Sequence, residues 1–174
     1  TEAFKFRCIV VVDNCEVIEQ NKDIFEGKQI GVRLDLDLGD GHHKKVITEG
    51  HESKFGICYK DINNLINICK DNNVKIVGLH SHRGSNIHNI QNWISALTLL
   101  NKISLMFKDV EWFNLGGGFG VNLGVEDIKK LNDELFKNYP SSKLWIEPGR
   151  FLVSEAGVLL SNVNLVRKKN NKST

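Results

Sequence analysis

Three short polar clusters, each set directly after an apolar run, carry the residues of this sequence best suited to chemistry. His80-Ser81-His82-Arg83-Gly84-Ser85 follows Val77-Gly78-Leu79, Gly116-Gly117-Gly118-Phe119-Gly120 follows Trp112-Phe113-Asn114-Leu115, and Glu147-Pro148-Gly149-Arg150 follows Leu144-Trp145-Ile146. The glycine run lets backbone N–H groups converge on a phosphate with no Cβ in the way. It lacks the Lys-Ser/Thr ending of a P-loop and the final spacing of the dinucleotide fingerprint, and a tight strand exit with no ligand would use the same residues. Gly84-Ser85 adds an N–H and a hydroxyl, and the flat imidazole of His82 suits stacking on a ring. Glu147 at a strand tip can hold a proton on a ring nitrogen, and the planar fork of Arg150 fits paired anionic oxygens. Alone, Pro148-Gly149 is an ordinary turn. Together the three clusters suit a phosphorylated aromatic cofactor.

Other polar residues admit plainer readings. His80 and His82 stand two apart, as a metal pair on one side of a strand would, but no third and fourth ligand occupy matching positions, and His80 also fits a satisfied core histidine. Arg33 sits in the apolar run Gly31-Val32-Arg33-Leu34, where packing would want an aliphatic residue. It should therefore face a charged partner, expected to be a pocket carboxylate or a cofactor oxygen. Ser53-Lys54-Phe55-Gly56-Ile57 places a lysine beside a core aromatic, which serves packing as well as function. His42-His43-Lys44-Lys45 follows Gly39-Asp40-Gly41 and reads as a solvated turn.

The elements that must position these clusters follow from hydrophobic period. Strands are expected at Cys8 to Val12, Ile30 to Leu36, Ile76 to His80, Trp112 to Leu115 and Leu144 to Ile146, alternating with amphipathic helices at Tyr59 to Asp71, Asn89 to Lys102 and Glu126 to Asn138. Acidic Glu126 and Asp127 open the third helix, where the dipole favours them, and Tyr139-Pro140 closes it. Such alternation builds βαβ units around a parallel sheet, an α/β fold, with each polar cluster at a strand's carboxyl end. After Arg150 the pattern changes to a strand, Val158-Leu159-Leu160 and Val163-Asn164-Leu165-Val166, followed by a polar tail expected to fray.

Bulk properties exclude whole function classes. The 174 residues suffice for one domain with a core, and 41% hydrophobic with 25% charged is globular. A net charge of +2 with interspersed signs leaves no footprint for nucleic acid. No apolar run approaches the ~20 residues of a membrane span, so no membrane partner is expected and the chain reads as soluble and cytoplasmic. Cys8, Cys15, Cys58 and Cys69 show no metal-ligand spacing and read as buried thiols in a reducing compartment. The sequence starts at Thr1 and runs almost at once into an apolar strand, which reads as a fragment cut inside a fold.

Ser53-Lys54-Phe55-Gly56, Gly78-Leu79-His80-Ser81-His82-Arg83-Gly84-Ser85, Leu115-Gly116-Gly117-Gly118-Phe119-Gly120 and Glu147-Pro148-Gly149-Arg150 together resemble the pyridoxal phosphate (PLP)-dependent decarboxylases of the alanine racemase fold. Within them the diaminopimelate decarboxylases match best, and Val32 to Val46 resembles the version fused to aspartate kinase. The resemblance implies the C-terminal part of a PLP-binding (β/α)8 barrel over 1–154 and the start of a C-terminal β-domain over 155–174. It implies a homodimeric parent that converts meso-diaminopimelate to lysine. It implies His82 stacked on the cofactor ring, Ser85 and Gly116, Gly117 and Gly118 at its phosphate, Glu147 on the pyridine nitrogen, and Gly149 and Arg150 at phosphate or substrate, with Arg33 also toward substrate. The family's Schiff-base lysine motif and its Cys-Glu-x-x-Asp segment are not in these residues, Lys54 matches a different family lysine, and Arg83 replaces a usual aliphatic residue. This stretch alone is thus expected not to turn over. Ornithine, arginine or carboxynorspermidine as substrate, and a non-catalytic binding homologue, are the alternatives.

Overall fold

The computed structural model describes residues 2–38, 53–138, 140–166, 168–169 and 172–173. The expected loop at Gly39 to Lys45, the stretch on to Val46 and the helix stop at Tyr139 lie outside them. After a short helix α1 (Glu2–Lys5), strand β1 (Val11–Val12) leads to helices α2 (Cys15–Gln20) and α3 (Lys22–Phe25), and these return the chain to β2 (Gln29–Asp35). Strand β3 (Ile57–Cys58) and a 3-10 turn precede α4 (Ile62–Asp71). Then β4 (Lys75–His80), α5 (Gln91–Ser104), β5 (Trp112–Asn114), α6 (Val125–Asn138), β6 (Lys143–Trp145) and α7 (Arg150–Val153) follow.

All pairings in the main sheet are parallel, in the order β1-β2-β4-β5-β6, with β3 added to β2 near its carboxyl end. The order never reverses. Each right-handed crossover therefore lays its helix on the same face, which is the winding of a barrel rather than of a doubly wound sheet. The helix-covered face holds Val32, Leu79 and Phe113, each at most 1% exposed, with Trp93, Leu97 and Leu131 packed over it. Strand alternation sends Gly31, Arg33, Gly78, His80, Trp112 and Asn114 to the other face. A one-residue irregularity at Val77 lets Ile30 pair with Ile76 but Gly31 with Gly78, so Gly78 and His80 share that second face.

The second face is filled in layers. At its lower layer the Trp112 indole lies against the bare backbones of Gly31 and Gly78, where any Cβ would overlap it, and its outer side stacks on Trp145 at 4.4 Å. Glycine inside a strand marks such an approach. One layer up, register aligns Arg33, His80 and Asn114 with Trp145.

Several expectations need correction. The strand expected from Cys8 begins only at Val11, so Cys8 is exposed, whereas Cys15 and Cys69 are buried and Cys58 is half-buried; all four thiols are free. Burial, helped by Cys15 nearby, pushes the Cys69 thiol up to about 12, which keeps it inert. Helix α2 was not anticipated, although Asn14 caps it by accepting the Val17 N–H at 2.9 Å. No strand forms over residues 155–166, where Val158, Leu159 and Leu160 are 89–94% exposed. A strand needs a partner edge, and among the described residues none faces this stretch. Within the tail, Lys168–Lys169 (β7) and Lys172–Ser173 (β8) pair antiparallel rather than fray throughout.

Candidate functional site

The carboxyl ends of β4, β5 and β6 bring the three polar clusters to one place. The ladder continues past each strand: Ser81 N–H donates to Asn114 C=O at 2.9 Å, Leu115 N–H to Trp145 C=O at 3.0 Å, and Glu147 N–H to Gly116 C=O at 2.8 Å. These bonds tie the second cluster to the first and third. Gly116 and Gly118 take φ of 64° and 84°, values that favour glycine. A Cβ on Gly116 would come within 2.5 Å of His82 Nδ1, one on Gly117 would strike the Glu147 carbonyl, and one on Gly118 the Gly84 carbonyl. The run is therefore required by three close backbone approaches and not only by turn geometry. Its outer side is anchored to the core, since Trp93 Nε1 donates to Gly117 C=O at 3.3 Å and the Trp93 and Phe119 rings stack at 4.2 Å.

A cavity of about 240 Å³ opens here, lined among others by His82, Ser85, Gly117, Gly118, Glu147 and Arg150. Gly149 also lines it, whereas Gly116 packs against the His82 ring instead. Arg150, first residue of α7, donates through Nη2 to Ser85 Oγ at 2.5 Å, so a guanidinium and a hydroxyl meet at one end. At the other end Glu147 is about half exposed, its Oε1 accepting from Asn114 Nδ2 at 2.8 Å. His82 stands between. The Gly117 N–H donates to His82 Nδ1 at 3.1 Å, which puts the proton of the neutral ring on Nε2.

The electrostatics favour neutral imidazoles. Burial, together with Arg33 and His82 and against the opposing pull of Glu147, pushes His80 down to about 4. Burial and then Arg33 lower His82, again opposed by Glu147. His80 Nε2 and Glu147 Oε1 are 3.9 Å apart, but a neutral imidazole there forms no ion pair. Among the described residues no cluster of His, Cys, Asp and Glu could hold a metal, which leaves the His80/His82 pair without further ligands.

Among the described residues Arg33 does not meet a pocket carboxylate, one of its two expected partners. Its guanidinium lies 4.9 Å from the Phe55 ring centroid, with Lys54 at 5.2 Å from the same ring, and it forms no ion pair with a carboxylate among the described residues. A cation over an aromatic face is the arrangement that a half-buried guanidinium adopts when no carboxylate is at hand. Arg83 also has a place: it is 6% exposed and donates through Nη1 to Asn92 C=O at the start of α5.

Sequence reasoning passed over Asn114. It is 7% exposed, donates to Glu147 Oε1 and accepts the Gly116 N–H through Oδ1 at 2.8 Å. The available signal was an amide inside the otherwise apolar run Trp112-Phe113-Asn114-Leu115, since a buried polar side chain must find partners.

The residues present fit an anionic, flat ligand. Gly118, the Ser85 hydroxyl and the Arg150 guanidinium line the cavity together with the His82 imidazole and the Glu147 carboxylate. Residues 4–154 match the family described as pyridoxal-dependent decarboxylase, pyridoxal binding domain. The chain is 30% identical over 186 residues to diaminopimelate decarboxylase of Buchnera aphidicola subsp. Schizaphis graminum, covering 99% of this chain and 44% of that protein. Its fold superposes on crystalline diaminopimelate decarboxylase from Helicobacter pylori complexed with L-lysine with a TM-score of 0.79 at 23% identity, over 99% of this chain and 47% of that one. It superposes on lysine/ornithine decarboxylase complexed with putrescine from Vibrio vulnificus with a TM-score of 0.66 at 25% identity, over 86% and 40%. The chain thus spans less than half the length of the curated relatives it matches.

Proposed function

The chain belongs to the pyridoxal-dependent decarboxylases through their pyridoxal-binding domain, and we propose that the protein carrying it decarboxylates meso-diaminopimelate to lysine. The observation that carries this reading is the convergence of His82, Ser85, Gly117, Gly118, Glu147 and Arg150 on one cavity, in a chain 30% identical to a diaminopimelate decarboxylase.

Bound pyridoxal phosphate supplies an electron sink, a protonated ring able to take up the electron pair left behind when carbon dioxide departs. The chain's own residues have separate tasks. Ser85, Arg150 and the backbone N–H of Gly118 bind the phosphate, a dianion that suits a guanidinium fork beside a backbone donor, whereas the Gly116 and Gly117 N–H groups are held by Asn114 Oδ1 and His82 Nδ1. His82, half-buried and neutral with its Nδ1 satisfied by Gly117, presents a face for the ring to lie on. Glu147 holds the proton on the ring nitrogen. The lysine expected to link the cofactor is not in these residues, so turnover is assigned to the whole protein and cofactor contact to this chain. A homodimer in the cytoplasm and a domain division near residue 154 belong to the same reading. The division is supported by the change from core packing to the exposed run Val158 to Val166.

The second reading is decarboxylation of lysine or ornithine, favoured by the likeness to the Vibrio vulnificus enzyme. The test is carbon dioxide release by the PLP-loaded protein from diaminopimelate, lysine, ornithine and arginine in parallel. Preference for diaminopimelate by at least about a hundredfold in kcat/KM, a ~3 kcal/mol discrimination, supports the first reading. Equal or better use of ornithine or lysine replaces it with the second, and release from none of the four removes both. Glu147→Gln should lower kcat far more than it weakens PLP binding, since a neutral amide cannot hold the ring-nitrogen proton that makes the ring an electron sink.

A further inference from the structure

The carboxylate of Glu147 is half exposed on a loop just beyond β6, yet one of its oxygens is fixed from inside the sheet. Asn114, the last residue of β5, reaches it with Nδ2 at 2.8 Å while its Oδ1 takes the Gly116 N–H at 2.8 Å. Only an amide oriented this way serves both neighbours, because the flipped amide would set its oxygen against the carboxylate and its NH2 against an N–H. The backbone closes the same loop, Glu147 N–H donating to Gly116 C=O at 2.8 Å. Asn114 is itself held firmly: its carbonyl accepts the Ser81 N–H, and its neighbour Leu115 donates to Trp145 C=O. His80 Nε2, at 3.9 Å from Glu147 Oε1, is beyond hydrogen-bond reach. Among the described residues Asn114 is therefore the one hydrogen-bond donor to this carboxylate, and Oε2 has no protein partner.

We propose that Asn114 is a positioning residue that clamps Glu147 Oε1 to the glycine run, so that Oε2 is presented to the ring nitrogen of the cofactor in fixed register with Gly118, Ser85 and Arg150 around the phosphate. The inference rests on the reading of Glu147 as the partner of that nitrogen. Losing the clamp leaves the glycine run anchored by Gly117 to His82 and by Trp93, but frees the carboxylate to rotate into solvent. The effect should therefore fall on ring protonation before it falls on phosphate binding.

The experiment uses the protein loaded with pyridoxal phosphate isotopically labelled at the ring nitrogen, whose NMR shift reports protonation as pH is varied. Asn114→Leu keeps the side-chain outline without hydrogen bonds, and Asn114→Ala serves should the leucine variant not fold. Expected is a fall of about one pH unit in the ring-nitrogen pKa, a tenfold loss of the protonated form's advantage. PLP affinity should change by less than about threefold, and kcat should fall while KM holds, as expected for an interaction made chiefly in the transition state. If Glu147→Gln leaves the ring-nitrogen pKa where it was, the reading of Glu147 fails and the clamp fails with it. If Glu147→Gln lowers that pKa but neither Asn114 variant moves it, the reading stands and the clamp alone is overturned.

Discussion

Replacing Gly78 by alanine tests whether the Trp112 layer supports the site above it. A Cβ at position 78 would fall inside the indole, against Cε2, Cζ2 and Cδ2, where carbon atoms settle at about 3.5–4.0 Å. The ring cannot retreat, because Gly31 lies beside Gly78 under the same indole and Trp145 stacks on its outer side at 4.4 Å. With Trp112 only 4% exposed, relief requires moving a strand or unstacking two indoles, so the cost belongs at the upper end of overpacking, about 3 kcal/mol. For a domain of this size that corresponds to a Tm lower by roughly 6–12 °C. The assay is urea unfolding of the native protein, Gly78→Ala, Trp112→Leu and the double variant. Trp112→Leu should itself cost about 2–4 kcal/mol through the cavity it leaves. In that background, however, the alanine should be nearly neutral, giving a coupling of about 2–3 kcal/mol. Costs that add without coupling, or a Gly78→Ala protein as stable as the native, would refute the argument. Because Gly78 and Trp112 stand two residues before His80 and Asn114, Gly78→Ala should also weaken PLP binding.

Gly117→Ala drives a Cβ into the Glu147 carbonyl and should weaken PLP binding by about 5- to 150-fold, the equivalent of a 1–3 kcal/mol overpacking cost. Gly157→Ala, with no atom within 4 Å of its Cβ, should leave the affinity unchanged, and equal effects would refute the steric account. The folded protein holds His80 near 4 and His82 below its ordinary value, whereas the unfolded chain takes up these protons as pH falls below 6.5. Stability is thus fully present above that value and drains away toward pH 4. By pH 5 His80 alone should remove about 2 kcal/mol, read as a lower urea midpoint, and a stability that stays flat from pH 7 to 5 would contradict the burial argument. Arg33→Met removes a cation that holds both histidines down, so the His82 pKa should rise in an NMR titration; no change would mean that Arg33 is screened from the pair.

The sequence by itself determined the alternation of strand and helix, because periods of 2 and 3.6 in apolar residues are local properties. It marked the places where each strand gives way to Gly84-Ser85, to Gly116-Gly117-Gly118 or to Glu147-Pro148-Gly149-Arg150, since a cluster of such residues ends the apolar pattern of a strand. Even Arg33 was recognisable as out of place in its strand. Its partner was not, because whether a guanidinium meets a carboxylate or the Phe55 ring depends on a residue 22 positions away (55 − 33) and on how β2 and β3 come together. The end of the chain shows the same dependence: Val158 to Val166 has strand composition, but a strand exists only where another edge accepts its hydrogen bonds, and among the described residues none does.

What tertiary structure alone decided is the pairing across strands. Register sets Arg33, His80 and Asn114 in one row; burial, with Arg33 adding to it, keeps the imidazoles neutral, and Asn114 reaches Glu147 across 33 residues of sequence. A glycine triplet states that backbones must pass closely, but it does not say that the three neighbours are the His82 ring, the Glu147 carbonyl and the Gly84 carbonyl. Those identities come from the close packing of distant segments, in which a buried group meets whatever the fold brings beside it.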